Sequence, residues 1–389
     1  ARHNNAFGTT AGGVTVKDGG ELQLQDNITI GAEALTLGGS GVAGGGALRN
    51  ISGTNTYGGK VTIGQNGARI GSDSGLLILD VASGNAIDGS NLDVVFGGAG
   101  GITVADPIAT SGGGVTKEGS GILTLAGANT YTGPTTLKAG RLNISGSTAA
   151  GSAVTVAGGA TLGGTGSTLG AVSVAAGGLL TPGVGGTAGG NFTAGSLTLD
   201  NDSLARFEFS AAPANDTITV NGGLSLAPGA KIALLVAGTA TPWAQSGTYN
   251  LIQYNGVLVG DPSGLVIDTP AANLFYTFFV EDGWLKVRVE GVKVTALPFS
   301  SLTPTSAQFN GTVTAVAADD PQVWFCWDYS DKGFTATSDW ANVTYVGVFG
   351  EGQTFGKTIS GLHSGSNYAY RVFAASTDGT AWSVEAITL

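Results

Sequence analysis

The chain has 389 residues, of which 68 are glycine and only 11% are charged. A formal net charge of −11, with only 16 basic residues, argues against nucleic-acid binding, which needs clustered Lys and Arg. Glycine excess without proline excess excludes collagen, and the 42% hydrophobic content argues against disorder. Many tight corners between short buried strands predict an all-β repeat protein.

A strand, a glycine corner and a second strand recur along the first part of the chain. The phrase VTV-KDGG-ELQL at 14–24 returns in related form at 154–162, 172–180 and 218–226. Within each triplet the outer aliphatic residues point one way and the middle residue the other, as in a half-buried strand. The pattern predicts a parallel β-solenoid, with roughly 20–25 residues per coil and about twelve coils over residues 1–290.

The stretch 119–146 carries the most specific repeat, GSGILTLAGANTYTGPTTLKAGRLNISG. It resembles the autotransporter-associated β-strand repeat at Gly119, Gly121, Leu123, Leu125, Gly127, Asn129, Thr130, Tyr131, Gly133, Thr135, Leu137, Gly140 and Leu142. The resemblance implies a secreted or surface-exposed bacterial β-solenoid. Asn55-Thr56-Tyr57 repeats the Asn-Thr-Tyr motif of 129–131, about three or four coils earlier.

The composition changes near residue 242. Aromatic residues are sparse before it, and all six tryptophans follow it, beginning with Trp243. Because large rings fit poorly in a narrow aliphatic interior, we expect them in a capping layer or a sandwich core. Residues 1–187 are predicted to form the glycine-rich solenoid. Residues 188–291 are predicted to form terminal coils and a closing region, with a hairpin around Glu281-Asp282-Gly283.

Residues 292–389 are predicted to form a separate module. Seven strand candidates suggest an immunoglobulin-like β-sandwich: Val292–Ala296, Ser306–Val316, Gln322–Tyr329, Ala341–Val348, Gln353–Ser360, Asn367–Ala375 and Ala381–Thr388. The phrase at 359–383 resembles a fibronectin type III domain at Leu362, Tyr368, Tyr370, Arg371, Val372 and Ala374. It departs from that pattern at His363 and Gly365. Trp324 or Trp327 is expected to be the core tryptophan.

The sequence predicts no catalytic, cofactor-binding or metal-binding residue. His3 and His363 lie far apart, so neither a zinc site nor a Ser-His-Asp triad is expected. The acidic residues of the solenoid are mostly isolated: Asp73, Asp80, Asp93, Asp106 and Glu118. Asp200-Asn201-Asp202 and Asp319-Asp320 are interpreted as turns. The glycine clusters 44–46, 98–101 and 112–114 are interpreted as corners with positive φ, because no helix follows them to form a phosphate site.

Two features leave alternatives open. Cys326, the only cysteine, is expected to pack in a core, with an interchain bridge or a reactive thiol as the alternative. Four aromatic residues of the last module are expected in core or interface packing, with stacking on sugar rings as the alternative: Tyr329, Trp340, Tyr345 and Trp382.

These observations favour a non-enzymatic extracellular structural protein, in which the solenoid is the subunit of a head-to-tail fibre on a bacterial surface. No signal peptide or apolar run of membrane length is seen. No cap is evident before residue 14, so this end is expected to meet upstream coils or a neighbouring copy. The alternatives are an adhesin stalk that presents a glycan- or protein-binding module, and a β-helix polysaccharide lyase or hydrolase.

Overall fold

A computed structural model describes residues 1–210, 214–272, 274–316, 319–377 and 379–389. The chain divides into two compact units. The first contains Ala1–Pro242, Asn250–Thr269 and Val280–Leu285, and the second contains Trp243–Tyr249, Pro270–Phe279 and Lys286–Leu389. Over the described ranges, regular structure is confined to 39 strands and three 3-10 helices, which are Val42–Gly44, Pro262–Gly264 and Thr337–Asp339.

The strands up to residue 148 are short, with two to five residues in all but one. They are β1 (Val14–Val16), β2 (Leu22–Leu24), β3 (Thr29–Ile30), β4 (Leu35–Gly39), β5 (Leu48–Asn50), β6 (Thr54–Tyr57), β7 (Val61–Ser72), β8 (Leu76–Leu79), β9 (Ile87–Asp88), β10 (Val94–Gly97), β11 (Gly101–Val104), β12 (Ile108–Ala109), β13 (Val115–Lys117), β14 (Ile122–Leu125), β15 (Thr135–Leu137), β16 (Gly140–Ile144) and β17 (Ser147–Thr148).

The strands from residue 154 to residue 290 are often longer. They are β18 (Val154–Val156), β19 (Ala160–Gly164), β20 (Ser167–Val174), β21 (Leu179–Pro182), β22 (Asn191–Leu199), β23 (Leu204–Phe209), β24 (Thr217–Val220), β25 (Leu224–Leu226), β26 (Lys231–Val236), β27 (Gly247–Tyr254), β28 (Leu258–Val259), β29 (Val266–Ile267), β30 (Phe275–Glu281) and β31 (Trp284–Glu290). The last strands are β32 (Val292–Ser300), β33 (Ser306–Val316), β34 (Gln322–Asp328), β35 (Asn342–Val348), β36 (Thr354–Ser360), β37 (Ala369–Ser376), β38 (Gly379–Trp382) and β39 (Ile387–Thr388).

The first unit is a solenoid with three parallel ladders. The first ladder starts with β1, β4 and the beginning of β7. The second ladder runs from β2 and β5 through the end of β7 to β28, and the third runs from β3 to β29. The long strands β7, β20 and β22 pass from the first ladder into the second. The third ladder has eleven strands among the described residues, so the structure has eleven coils where the sequence predicted about twelve.

Residues of successive coils stack in columns inside the solenoid. One column of the second ladder joins, coil by coil, Leu48, Ile70, Phe96, Lys117, Leu137, Val156, Val174, Leu199 and Leu226. All nine side chains are buried. A column in the third ladder joins Leu123, Leu142, Leu162 and Leu180, which are also fully buried. The predicted inward aliphatic and outward threonine pattern is therefore confirmed at Leu123-Thr124-Leu125.

Three predictions about the solenoid are wrong in detail. Large rings do lie inside it: Tyr57, Phe96, Tyr131, Phe192, Phe207 and Phe209 are fully buried. Tyr57 belongs to β6 of the third ladder, whereas Tyr131 lies in the connection before β15, so the two Asn-Thr-Tyr motifs are not equivalent. Gly112, Gly113 and Gly114 do not adopt positive φ. Glycine is required at position 113 for a different reason, because a Cβ there would lie 2.1 Å from the carbonyl oxygen of Leu92 in the preceding coil.

Two antiparallel sheets of the second unit share one buried cluster. Strands β32, β33 and β36 form the first sheet, and β35, β34, β37, β38 and β39 form the second. The ring of Phe309 on β33 stacks on that of Tyr370 on β37, with centroids 4.1 Å apart. Trp327 packs against this cluster and Trp324 lies on the opposite face of β34, so Trp327 is the core tryptophan.

The last predicted strand is wrong, because Ala381–Thr388 is divided between β38 and β39. The Arg371 guanidinium donates to the carbonyl oxygens of Ser383 and Val384, so these two carbonyl groups are bonded to a side chain where the strand is interrupted. The turn between β30 and β31 is Asp282-Gly283, where both residues have positive φ as in the two-residue hairpin turns. The division into three domains and the fibronectin type III assignment stay predictions.

Candidate functional site

Charged side chains on the outside of the solenoid join neighbouring coils. Arg49 on β5 pairs with Asp73 in the next coil at 2.7 Å and with Glu21 in the previous coil at 3.4 Å. Glu118 accepts from Lys138 at 3.0 Å and from Arg69 at 2.8 Å. These hydrogen bonds lower the pKa of Glu118. Asp73 and Glu118, which appear isolated in the sequence, are therefore engaged in contacts between coils.

Lys117 places an ammonium group among the buried residues of the second ladder. Its side chain is 2% exposed, and it stands in the column between Phe96 and Leu137. The Nζ atom donates to the carbonyl oxygens of Glu118 at 2.7 Å, Gly119 at 2.8 Å and Ala139 at 3.2 Å. Burial lowers the pKa of Lys117 to about 8. The lysine thus satisfies corner carbonyls from inside the solenoid, a role that sequence reasoning missed.

Asparagine side chains also stabilise the corners. The Asn50 amide donates to the Ser72 hydroxyl at 3.1 Å and to the Ser74 carbonyl at 2.9 Å. Asn55 accepts from the Ile28 N–H at 2.8 Å, and Asn129 accepts from the Ile108 N–H at 2.9 Å. Each amide bonds a backbone group of an adjacent coil, so these asparagines hold consecutive coils in register.

One pair of carboxyl groups does come together in the solenoid. Asp216 is fully buried and accepts from the N–H groups of Gly190 at 2.8 Å and Glu208 at 3.1 Å. Glu208 accepts from the Gly186 N–H at 2.8 Å. Burial raises the pKa of Asp216 to about 6. Glu208 is only 5% exposed, and through these hydrogen bonds the pair anchors the loop 183–190.

The two histidines occupy separate turns. The His3 Nδ1 accepts from the Asn5 N–H at 3.1 Å, and the His363 Nδ1 lies 3.2 Å from the hydroxyls of Tyr329 and Tyr368. Asp202, at positive φ, pairs with Lys231, and Asp319 accepts from the backbone and hydroxyl of Thr377. In the described part of the chain, no group of three His, Cys, Asp or Glu side chains is placed to hold a metal ion.

Cys326 is a free cysteine on the second sheet of the second unit, and its side chain is fully buried. Burial raises the pKa of its thiol to about 12. The thiolate is the reactive species, so the folded protein presents almost none of it near neutral pH.

Native protein treated with iodoacetamide at pH 8 is therefore expected to remain unmodified for hours, whereas guanidinium-unfolded protein is alkylated at one site. Intact-mass spectrometry measures both. Rapid, complete alkylation of the native protein contradicts this burial and revives the reactive-thiol interpretation.

A row of aromatic rings crosses the outer face of the second sheet. Its members are Tyr345, Trp324, Phe373, Trp382 and Trp340, with successive centroids 5.4, 5.6, 4.8 and 5.9 Å apart. Trp340 is 4% exposed, in agreement with the predicted core or interface packing, whereas Tyr345 is 46% exposed. Tyr329 lies apart, stacked on Tyr368 with centroids 4.9 Å apart. The row provides a continuous apolar surface beside the sheet core.

Residues 115–144 match the family model described as Passenger-associated-transport-repeat. The match covers β13 to β16 and confirms the predicted resemblance of this stretch to an autotransporter passenger repeat. Such a repeat fits a secreted or cell-surface protein with a β-helical architecture. No curated protein matches the chain. Among the described residues, no helix is long and apolar enough to cross a membrane.

Three solved structures show distant similarity. The sensor domain of the anti-sigma factor RsgI4 from Pseudobacteroides cellulosolvens is 20% identical in its short version, over 25% of this chain and 91% of that chain, with a TM-score of 0.19. Its long version is 19% identical, over 25% and 86%, with a TM-score of 0.17. The chitinase ChiW from Paenibacillus sp. str. FPU-7 is 11% identical, over 97% of this chain and 24% of that chain, with a TM-score of 0.19. These TM-scores are too low to support an argument about fold or function.

Proposed function

We propose that the chain is a non-enzymatic extracellular structural protein, and that its solenoid is the subunit of a surface fibre assembled head to tail. The eleven coils in three parallel ladders support this proposal. Each coil adds backbone hydrogen bonds and a layer of aliphatic core, so length and stiffness grow by repetition. The passenger-type repeat at 115–144 supports an extracellular location.

The first coil offers an edge for such an assembly. Among the described strands, β1 pairs with β4 on one side only. Elsewhere the N-terminal segment already bonds this coil, because the Gln25 N–H donates to the Ala1 carbonyl at 3.1 Å and the Thr29 N–H donates to the Asn4 side chain at 2.9 Å. In a parallel ladder, alternate residues of a strand direct their N–H groups to opposite neighbours. Because the Val14 N–H donates to Ala34 on the β4 side, the Thr15 N–H faces the other way. This edge can pair with a further strand, and a repeated head-to-tail contact builds an open fibre.

Thr15→Pro removes that outward N–H without removing a bond to β4, and Thr15→Ala is the matched control that keeps it. Negative-stain electron microscopy of the full chain over a concentration series measures assembly. We expect fibres for the unmodified protein and for Thr15→Ala, and short particles for Thr15→Pro. Dispersed monomers of the unmodified chain at every concentration contradict the fibre proposal.

A second candidate function is adhesion, with the solenoid as a stalk and the second unit as the binding module. The aromatic row of the second sheet favours it, because stacked rings on an outer sheet face suit ligands with flat apolar surfaces. We also propose that this unit is an immunoglobulin-like, fibronectin type III-like sandwich. Its two antiparallel sheets and shared core support that assignment.

Carbohydrate cleavage is the remaining alternative, and we propose that the chain lacks it. The engagement of Glu118, Glu208 and Asp216 in structural hydrogen bonds supports this view. Incubation with a broad polysaccharide panel is expected to release no oligosaccharide detectable by mass spectrometry. Release that is lost in Asp216→Asn would instead favour a lyase or hydrolase.

A further inference from the structure

The second unit contains a cleft of about 320 Å³, a volume at the lower end of small-molecule sites. Its walls come from β27, β31, β38 and the loop after β34. The residues that define its chemistry are Thr248, Arg288, Glu290, Phe334 and Trp382. Of these residues, the sequence singled out only Trp382, as one of the aromatic residues of the last module.

Glu290 is the buried polar group of this cleft. Its side chain is 7% exposed, and burial raises the pKa of its carboxyl. Within the described ranges no hydrogen bond or ion pair involves this carboxyl, and the positive charges of Arg288 and Lys293 offset only part of the effect of burial on its pKa. A buried carboxyl without a partner is unfavourable, and a ligand that donates hydrogen bonds removes the penalty.

Arg288 supplies the complementary donors. Its guanidinium lies over the Phe334 ring, 4.1 Å from the centroid, and over the Phe279 ring at 5.1 Å. The two rings hold the guanidinium plane without using its N–H groups. In the part of the chain that the structure describes, Arg288 makes no hydrogen bond or ion pair. Its fork of donors therefore remains available at the cleft.

Two rings form apolar walls. The Trp382 ring packs against the rings of Phe373 and Trp340, with centroid distances of 4.8 and 5.9 Å. Phe334 is 43% exposed, and the guanidinium groups of Arg288 and Arg371 lie over its ring, 4.1 and 4.7 Å from the centroid. Because neighbouring groups fix both rings, they form flat walls before any ligand arrives.

We infer that this cleft binds one unit of a neutral saccharide chain, an inference that rests on the adhesion function proposed above. The C–H face of a pyranose ring packs on Trp382, while adjacent hydroxyls donate to Glu290 and accept from Arg288. A neutral sugar uses both groups at once, because its hydroxyls donate and accept, whereas a charged sugar attracted by one of the two groups is repelled by the other.

The test is isothermal titration calorimetry of the full chain with three neutral tetrasaccharides: cellotetraose, chitotetraose and maltotetraose. We expect at least one to bind. Glu290→Gln removes the ionisable acceptor and Arg288→Lys removes the planar fork, and each should weaken that binding by about tenfold or more. Circular dichroism checks that both variants keep the β spectrum of the unmodified chain.

Tyr345→Ala is the matched control, because this exposed ring belongs to the aromatic row and does not line the cleft. Binding weakened by Glu290→Gln and Arg288→Lys but not by Tyr345→Ala supports the inference. Binding weakened only by Tyr345→Ala overturns the cleft assignment and leaves adhesion standing. Failure of all three probes to bind at millimolar concentration overturns the saccharide assignment, while the fibre proposal depends on the separate microscopy experiment.

Discussion

Gly121→Ala is expected to destabilise the solenoid by about 3 kcal/mol, the upper part of the usual range for overpacking. A Cβ at this position would lie 2.0 Å from the carbonyl oxygen of Gly100 in the preceding coil. The obstacle is backbone, and it cannot rotate away. The Gly121 N–H also donates to Gly98 at 3.0 Å, so a shift that relieves the clash strains the ladder. Guanidinium unfolding followed by circular dichroism measures the change in midpoint.

Gly31→Ala is the control for this experiment. No atom lies within 4 Å of its added Cβ, and its φ lies outside the left-handed region. We expect an effect within about 0.5 kcal/mol, or a small stabilisation through lower entropy of the unfolded chain. Equal effects of the two substitutions would show that glycine content alone, and not the close approach of coils, explains the requirement at Gly121.

Lys117→Met is expected to change how stability depends on pH. The folded chain holds the Lys117 pKa at about 8, below the ordinary value of 10.5. Between these values the unfolded chain keeps a proton that the folded chain has released, so the unmodified protein gains stability as pH rises. The gain is 1.36 kcal/mol for each pKa unit, or about 3 kcal/mol over this window. Methionine fills a similar volume and lacks the ionisation.

The measurement is the difference in unfolding free energy between the unmodified chain and Lys117→Met, at pH 7.5 and at pH 10.5. We expect this difference to change by about 3 kcal/mol in favour of the unmodified chain. Lys17→Met, which removes an exposed lysine from the first coil, corrects for the general effect of losing one positive charge. A difference that stays constant over this pH range is evidence that the Lys117 amine lies in solvent.

The fold class was predictable because inward aliphatic residues and outward polar residues alternate with period two. The triplet Leu123-Thr124-Leu125 shows this directly, and the structure buries both leucines. The position of each strand around the coil was not predictable. VTV at 14–16 begins in the first ladder, whereas VTV at 154–156 lies in the second. The three corners use similar residues, so a local phrase does not identify its face.

Interior polar residues were the harder part of the sequence to interpret. Lys117 follows Val115-Thr116, so the period-two pattern assigns it to the inward face, where a charged side chain is not expected. Three corner carbonyl oxygens accept from its ammonium group there. The candidate cleft could not be predicted from the sequence either. Arg288 and Glu290 lie on β31, far in sequence from Phe334 and Trp382, so only the tertiary fold brings them together. The aromatic residues of the last module gave the one sequence signal that pointed to that region.

The stacking of coils is tested most directly by distances along one ladder. Outward positions of the second ladder follow one register from Val95 through Thr116, Thr136, Thr155, Ser173, Thr198 and Ser225 to Val259. Cysteines are introduced at position 95 and at a second position, in a Cys326→Ala background, and are labelled with nitroxides. Electron–electron double resonance then measures the distance between the two labels. With the partner label at Ser173, Ser225 or Val259, stacked coils predict about 19, 29 and 34 Å, at ~4.8 Å for each coil. Label-to-label distances that do not increase with the number of intervening coils would contradict a solenoid.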